Sequence, residues 1–592
     1  MAVAGARHPF GGAGPLDSAT GTNAGPMTTQ PLDERDPSSR ERPPGRLRRI
    51  AAHRAVASIL TTLAFLIVYV TLALPREVDQ LTPAALVRIP VELLLGVAFL
   101  LVLPPRIRHA AAAAGGAALG VLTIFKVLDM GFLSVLGRPF DPVFDWVLLG
   151  NAREFVEGSF GSAGAIGAAV AAVVLVVVVV VATALAMLRV ARVAGRHRPA
   201  AARAVAVLSV AWVACLALGA QLVAPVPVAS RSAASLAYDM AVQVPASLRD
   251  ERVFAQESAA DAFRGTAPSE LLTGLRGKDV VVAFVESYGR SAVEDPGNAP
   301  AVDPVLDAGT ATLAAAGFSA RSGWLTSPVL GGGSWLAHST FQAGLKIDNQ
   351  QRYRSLVSSD RLTLGASFQQ AGWETTSVMP ATVRAWPEGA FFGVDRVHIG
   401  PELGYRGPGF SFSPMPDQYA LAEFERLERG RADRGPLMAQ VELTSSHVPF
   451  TPIPKPVDWN ALGDGTIFAP QVEGAVTGDD VLKDDDLARA QYRDATVYSL
   501  STLIDYVQRY GDDRTVLIYL GDHQPQTSIV GEGASHDVPI TIVAKDPAVL
   551  DKIADWHWDA GLKPGPQAPV WPMESFRDRF LTAFGPEPVQ AR

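Results

Sequence analysis

The chain has 592 residues, 48% of them hydrophobic and only 19% charged, against roughly 25% charged residues in an average soluble domain. A string of soluble domains of roughly 150 residues each is therefore excluded, and part of the chain is expected in lipid. With 51 Lys+Arg against 59 Asp+Glu, the net charge of −8 excludes a generally basic nucleic-acid binder. The single cysteine, Cys215, excludes an intramolecular disulfide framework and a Cys-rich zinc site.

Residues 1–50 are rich in Gly, Pro, Ser, Thr and charge. Such a segment cannot bury enough apolar surface to offset its ordering entropy, and reads as a disordered cytoplasmic tail. No apolar region falls within its first 30 residues, so it is not a secretory signal. Residues 51–225 read as a membrane domain. About 20 apolar residues span the hydrocarbon core as a helix, and five stretches qualify, at 55–74, 84–103, 110–136, 163–188 and 204–223. The fourth is Val-rich and would favour a strand in water. In lipid a lone segment must satisfy its own backbone, which only a helix does. Arg88 and Pro90 interrupt the second, with Arg88 expected to snorkel to the surface.

Charge placement orients the block. Arg42, Arg46, Arg48, Arg49 and Arg54 precede the first stretch, Arg106 and Arg108 follow the second, and Arg189, Arg192, Arg196, Arg198 and Arg203 follow the fourth. The loops around 77–79 and 141–157 lean acidic. Basic loops stay in the cytoplasm, so five crossings place the C-terminal block outside, in a multi-pass plasma-membrane protein. Lys126 and Asp129, three apart in the third stretch, are spaced to pair on one helix face, and read as a mutually neutralised pair near the outer interface.

After a connector over 226–270, residues 271–592 carry short apolar runs bounded by Gly, Pro and Asp. Helical stretches at 419–427 and 487–510 separate them. This is the pattern of an α/β domain with a helix-covered, mostly parallel sheet. Three of its apolar strands run into polar residues: Asp279-Val-Val-Val-Ala-Phe-Val into Glu286, Leu437-Met-Ala-Gln-Val-Glu-Leu into Thr444-Ser-Ser-His447, and Thr515-Val-Leu-Ile-Tyr-Leu into Gly521-Asp522-His523. A fourth follows Ser535-His536-Asp537. Ligands bind outside the carboxyl ends of the strands in open α/β sheets, so Glu286, His447, Asp522 and His523 are expected to converge. Carboxylate and imidazole ligands without thiolate suit Mn2+, Mg2+ or Zn2+ and do not choose among them.

The nucleophile candidate is Ser334, in Gly331-Gly-Gly-Ser334-Trp-Leu-Ala-His338. A glycine run opening a helix lets backbone N–H groups approach an anion. Serine is also a preferred N-cap, so the motif alone leaves both roles open. Neither the Gly-Lys-Ser/Thr phosphate loop nor the Gly-x-Ser-x-Gly elbow accompanies it.

Five membrane stretches followed by Val-Glu286-Ser-Tyr-Gly, Gly-Gly-Gly-Ser334, Ser-Ser-His447-Val-Pro-Phe and Leu-Gly-Asp522-His523-Gln-Pro resemble the lipoteichoic acid synthase and phosphoglycerol transferase group, in the sulfatase-like branch of the alkaline phosphatase superfamily. The resemblance covers the membrane block and most of 275–550. It implies an alkaline phosphatase/sulfatase-like catalytic domain in which Glu286, Ser334, Asp522 and His523 bind one divalent metal ion, Mn2+ foremost, with Ser334 as nucleophile. By the same resemblance His447 contacts the phosphate or leaving group, and Trp386 with Arg384 forms a head-group-binding stretch. A phosphoglycerol-type group would pass from a lipid donor such as phosphatidylglycerol to a cell-envelope glycan or glycolipid acceptor. A phosphodiesterase, phosphatase or other sulfatase-family hydrolase is the alternative, and a non-catalytic envelope binding protein the third reading. The chain departs from the synthases in having Ser for Thr at the nucleophile and Trp335-Leu-Ala-His338 after it. The Cys/Ser-x-Pro-x-Arg signature of formylglycine sulfatases is missing. His338 and His536 read as structural.

Overall fold

The computed structural model describes residues 46–585 apart from 77, 79, 137, 224, 225, 231, 411 and 532. The tail expected over 1–50 lies outside the described residues except for 46–50, which open the first helix. Helices α1 (Arg46–Ala73), α2 (Val91–Val102), α3 (Pro105–Leu136), α4 (Leu148–Arg196) and α5 (Arg198–Ala217) occupy the five apolar stretches. Gly161, at φ 73°, breaks α4.

Among the described residues, four helices are long and apolar enough to cross a membrane: His53–Ala73, Pro105–Ser134, Gly161–Arg196 and Arg198–Ala217. The second stretch corrects the expectation of five full helices. Pro90 precedes its helix and Pro104 and Pro105 end it, because proline lacks the N–H and disfavours helix in the residue before it. The 12 residues of α2 rise only about 18 Å, short of the roughly 30 Å hydrocarbon core. The chain nevertheless travels the length of the bundle there. At one end Ile89 pairs with Ala229, beyond α5. At the other, Arg108 donates to the carbonyls of Leu100 and Leu103, at 2.8 and 2.9 Å, and lies against Gly195 near the end of α4. Pro90 and Leu103 are extended and complete the passage.

Lys126 and Asp129 do not neutralise each other. Lys126 is fully buried and donates to the carbonyls of Thr71, Leu72 and Leu74 at 3.1, 3.1 and 2.8 Å. Those carbonyls end α1 without helical partners, at the negative pole of its dipole. Asp129 instead pairs with Arg76 at 3.0 Å and accepts the Phe140 N–H. Arg88 does not simply snorkel; its guanidinium donates to the carbonyls of Ala85 and Ala73.

The connector is helical: α6 spans Ser232–Ala259, and Phe254, Phe263 and Leu271 join the core of the following domain. That domain holds the expected α/β sheet. Its strands are β1 (Asp279–Val285), β2 (Ser319–Thr326), β3 (Glu374–Met379), β4 (Arg396–Ile399), β5 (Leu437–Leu443), β6 (Thr515–Gly521), β7 (Asp537–Ala544), β8 (Asp559–Ala560) and β9 (Val570–Pro572). They are ordered β8-β2-β7-β6-β1-β5-β3-β4, with β9 beside β2. The run from β6 to β4 is parallel throughout, and β7 is antiparallel to both neighbours. The carboxyl ends of β6, β1, β5, β3, β4 and β2 therefore share one edge.

The near-continuous apolar runs of the central strands follow from burial on both faces. Val280, Val282 and Phe284 of β1 pack on α8 (Ser334–Ala343) and on a C-terminal helix at Phe576–Phe584. Val281, Ala283 and Val285 pack on the opposite layer, which includes α7 (Ala299–Ala315) and α9 (Asp417–Phe424). The long α10 (Asp485–Tyr510) completes that layer.

Arg577, on the C-terminal helix, ties the connector to this core. Its guanidinium is fully buried against Asp261 at 2.8 and 3.2 Å, and also donates to the carbonyls of Ala343 and Leu362. Burial opposes ionisation of Asp261, but Arg577 and Arg361 outweigh it and hold the carboxyl below its usual range. A depressed carboxylate stabilises the fold above its unfolded pKa of about 3.9, and that contribution is lost as pH falls through the folded value. Arg577→Ala removes the closest cation from the buried carboxylate and leaves only Arg361 near it, so thermal unfolding of the purified protein should show a loss near the lower end of about 3–5 kcal/mol. An unchanged midpoint would mean the pair is dispensable.

Candidate active site

The site lies at the shared carboxyl edge. β1 runs into Glu286, whose N–H still bonds the Leu443 carbonyl of β5 at 3.0 Å. β6 ends at Gly521, where a Cβ would lie 1.8 Å from the Tyr288 carbonyl oxygen. The missing side chain lets the two strand ends close on each other. Between them Ser287 sits at φ 56°, a left-handed conformation that costs about 1–3 kcal/mol for a non-glycine residue. Three bonds hold it there. Its N–H donates to Asp522 Oδ1 at 2.8 Å, its hydroxyl donates to Glu286 Oε1 at 2.9 Å, and its carbonyl accepts from the Tyr492 hydroxyl at 3.0 Å.

Asp522 Oδ1 also accepts the His523 N–H at 2.8 Å. Its Oδ2 is buried and has no hydrogen-bond partner. His523 Nδ1 donates to the Gln524 carbonyl at 2.8 Å, which leaves the Nε2 lone pair facing the site. That nitrogen lies 3.2 Å from Ser334 Oγ and 3.5 Å from both Glu286 Oε1 and Asp522 Oδ2. The Ser334 hydroxyl donates to Glu286 Oε2 at 3.1 Å. Ser334 opens α8 directly after Gly333, at φ 84°, so a helix N-terminus with its unpaired N–H groups stands at the same point.

Ligand atoms of Glu286, Asp522 and His523 lie within 4.8 Å of one another, and all three residues are buried. The set fits a divalent cation. It offers only acceptors, one of them orphaned, and a buried acceptor left unpaired is costly. Burial opposes ionisation of Glu286, yet the imidazoles of His447 and His523 outweigh it and hold the carboxyl below its usual range. Burial, reinforced by the Glu286 charge, pushes Asp522 up. Burial lowers His523, but the Asp522 and Glu286 carboxylates prevail and raise it. Cationic charge placed among them relieves the repulsion between the carboxylates.

His447 is half-buried, its ring stacked on Phe412 at 3.7 Å and 13°. Its Nδ1 donates to the Val448 carbonyl at 2.6 Å, leaving Nε2 for the site. Asp417 of α9 fixes the strand end that carries it, accepting the N–H groups of Thr444 and Ser445 at 2.8 and 3.0 Å and the Ser499 hydroxyl at 2.6 Å. Trp386 stacks on Phe392 at 5.4 Å and lines the cavity shared by Ser334 and His447. Arg384 is exposed and is not among the described residues lining that cavity. His536 lies at the same sheet edge with Nδ1 3.3 Å from the Ser327 carbonyl. His338 lines the cavity itself.

Sequence reasoning passed over Ser287 and Asp417, and over Gln440 and Glu442, which line the cavity that holds Ser334. The alternation of Gln440 and Glu442 along an otherwise apolar strand was the available signal, since residues two apart share a face. Asp417 after a proline looks like an ordinary helix start, and nothing local marks it.

No family model and no curated protein matches the chain. Among solved structures it is similar to the lipoteichoic acid synthase LtaP from Listeria monocytogenes, at 17% identity and TM-score 0.36, over 52% of this chain and 71% of that one. It is also similar to the soluble domain of lipooligosaccharide phosphoethanolamine transferase A from Neisseria meningitidis, at 16% identity and TM-score 0.33, over 52% and 88% of the two chains. A third is the Streptococcus pyogenes phosphoglycerol transferase GacH, at 12% identity and TM-score 0.31, over 56% and 91%. The chemistry proposed for the site rests on its own geometry.

Proposed function

We propose that the C-terminal domain is a metal-dependent phosphotransferase that moves a phosphoglycerol-type group from a membrane lipid, such as phosphatidylglycerol, to a cell-envelope glycan or glycolipid. The observation that carries this reading is the convergence of Glu286, His523 and the unpartnered Asp522 oxygen on a serine hydroxyl at a helix N-terminus. Glu286, Asp522 and His523, with Ser334, would hold one divalent ion, Mn2+ foremost and Mg2+ or Zn2+ otherwise. When bound, the ion supplies charge that favours the ionised serine oxygen and stabilises phosphoryl oxygens.

Ser334 Oγ, in the ionised form that the bound ion would favour, attacks phosphorus, and the bond from phosphorus to the donor's leaving oxygen breaks as the new one forms. His447 Nε2 gives the leaving oxygen its proton. In the second half, the acceptor hydroxyl attacks phosphorus, its proton passes to His447 Nε2, and the bond to Ser334 Oγ breaks. The N–H groups opening α8 and their dipole offset the phosphoryl charge. Trp386 offers an aromatic wall to the transferred group.

Two features support a lipid donor. The cavity, about 1410 Å³, extends from Ser334 to Val78, Leu133 and Ser134 at the end of the membrane helices. Phe412 and Leu482 on its wall are large apolar residues left exposed, 54% and 66%. The alternating basic loops support an outward-facing domain, so a reporter active only outside the cytoplasm and fused after Arg592 should be active. Activity of a cytoplasm-only reporter there would reverse the topology.

The discriminating experiment supplies head-group-labelled phosphatidylglycerol to the purified, metal-loaded protein with and without an acceptor glycan. Label should move to the glycan. Equal release into water in both arms would make the protein a hydrolase, and an untouched lipid would remove phosphatidylglycerol as donor.

A further inference from the structure

His338 lies four residues after Ser334, one turn along the same face of α8. Its ring stacks on Phe284 at 3.9 Å, and its Nδ1 stands 3.5 Å from Glu442 Oε1. Glu442 is the β5 residue registered opposite Phe284 of β1, so one pair of neighbouring strand positions supplies both the platform and the carboxylate. The side chains of His338 and Glu442 are each only 14% exposed. His338 Nε2 is buried without a hydrogen-bond partner, although the residue lines the cavity that holds Ser334.

A merely structural histidine satisfies both ring nitrogens within the fold. Here one nitrogen faces a carboxylate and the other is left unpaired, in a residue that lines the same cavity as the nucleophile. Unpaired buried polar atoms are costly, and a ligand oxygen brought against Nε2 removes that cost. We infer that His338, oriented by Glu442 and Phe284, is a further substrate-contacting residue that donates from Nε2 to an oxygen of the transferred phosphoryl group. With Nδ1 turned toward Glu442, Nε2 faces that oxygen from the helix that Ser334 opens, whereas His447 serves the leaving and attacking oxygens. No covalent step passes through His338; it holds the group while the bonds at phosphorus change. The inference rests on the phosphotransferase site proposed above and goes beyond the structural role read for His338 from sequence.

The test uses the full-length protein in detergent, loaded with Mn2+, with inorganic phosphate as the probe and bound metal measured in parallel. His338→Ala should keep its metal and its thermal midpoint but bind phosphate at least about tenfold more weakly, the expected loss for a hydrogen bond to a charged partner. His338→Gln, which keeps an N–H donor, should recover most of that loss. Equal phosphate affinity in wild type and His338→Ala would overturn the inference and leave the site standing. Loss of metal from His338→Ala would overturn it too, by making the ring a ligand. A wild-type protein that binds no phosphate in the presence of metal would overturn the site and this inference together.

Discussion

Ser334→Ala is expected to lose turnover by on the order of 10⁴-fold or more, as enzymes do when a covalent nucleophile is removed. Both half-reactions pass through that oxygen, so no remaining group substitutes for it. The side chain is small and half-buried, and its loss leaves Glu286, Asp522 and His523 in place. Lipid binding should persist, and metal should still load at saturating concentration. A variant with near wild-type transfer would reduce Ser334 to a helix cap, because serine at the start of α8 fills that role as well.

Asp522→Ala is the second large effect. Its Oδ1 holds the N–H groups of Ser287 and His523, and its Oδ2 is the unpartnered ligand oxygen. Changing groups that merely orient a metal ligand costs about 10–100-fold in affinity, so removing a ligand costs more. Elemental analysis of the purified variant should show no stoichiometric metal, and transfer should be abolished. A chelator should do the same to wild type, with activity restored by adding Mn2+. Full transfer in chelator, with no metal detected, would contradict the metal assignment.

Much of this architecture was legible in the residues because burial on both faces forces long apolar runs, and each run of the central sheet stops where its polar ligand begins. Glu286 after β1, His447 after β5 and Asp522-His523 after β6 could be read that way, and the parallel order then brings them to one edge. Ser334 was legible through its glycine run. The second membrane stretch was misjudged because apolar length was counted across Pro90, whereas the helix is confined to the 12 residues Val91–Val102. Lys126 and Asp129 were paired by spacing alone, whereas their partners come from α1 and from the segment just after it. Those contacts join residues more than 50 apart in sequence, and no local pattern encodes them. The same limit hid His338: its carboxylate and its aromatic platform come from two different strands.

The central claim is that the transferred group rests on Ser334 between the two halves of the reaction. The direct measurement is peptide mass spectrometry of metal-loaded protein quenched during turnover of a slow phosphodiester substrate without acceptor. The peptide containing Ser334 should carry the mass of the transferred phosphoryl group, with fragmentation placing it on Ser334 and the mark vanishing when acceptor is added. An adduct on Thr326, Ser339 or Thr340, or turnover of the wild-type protein with no adduct on Ser334, would contradict the account.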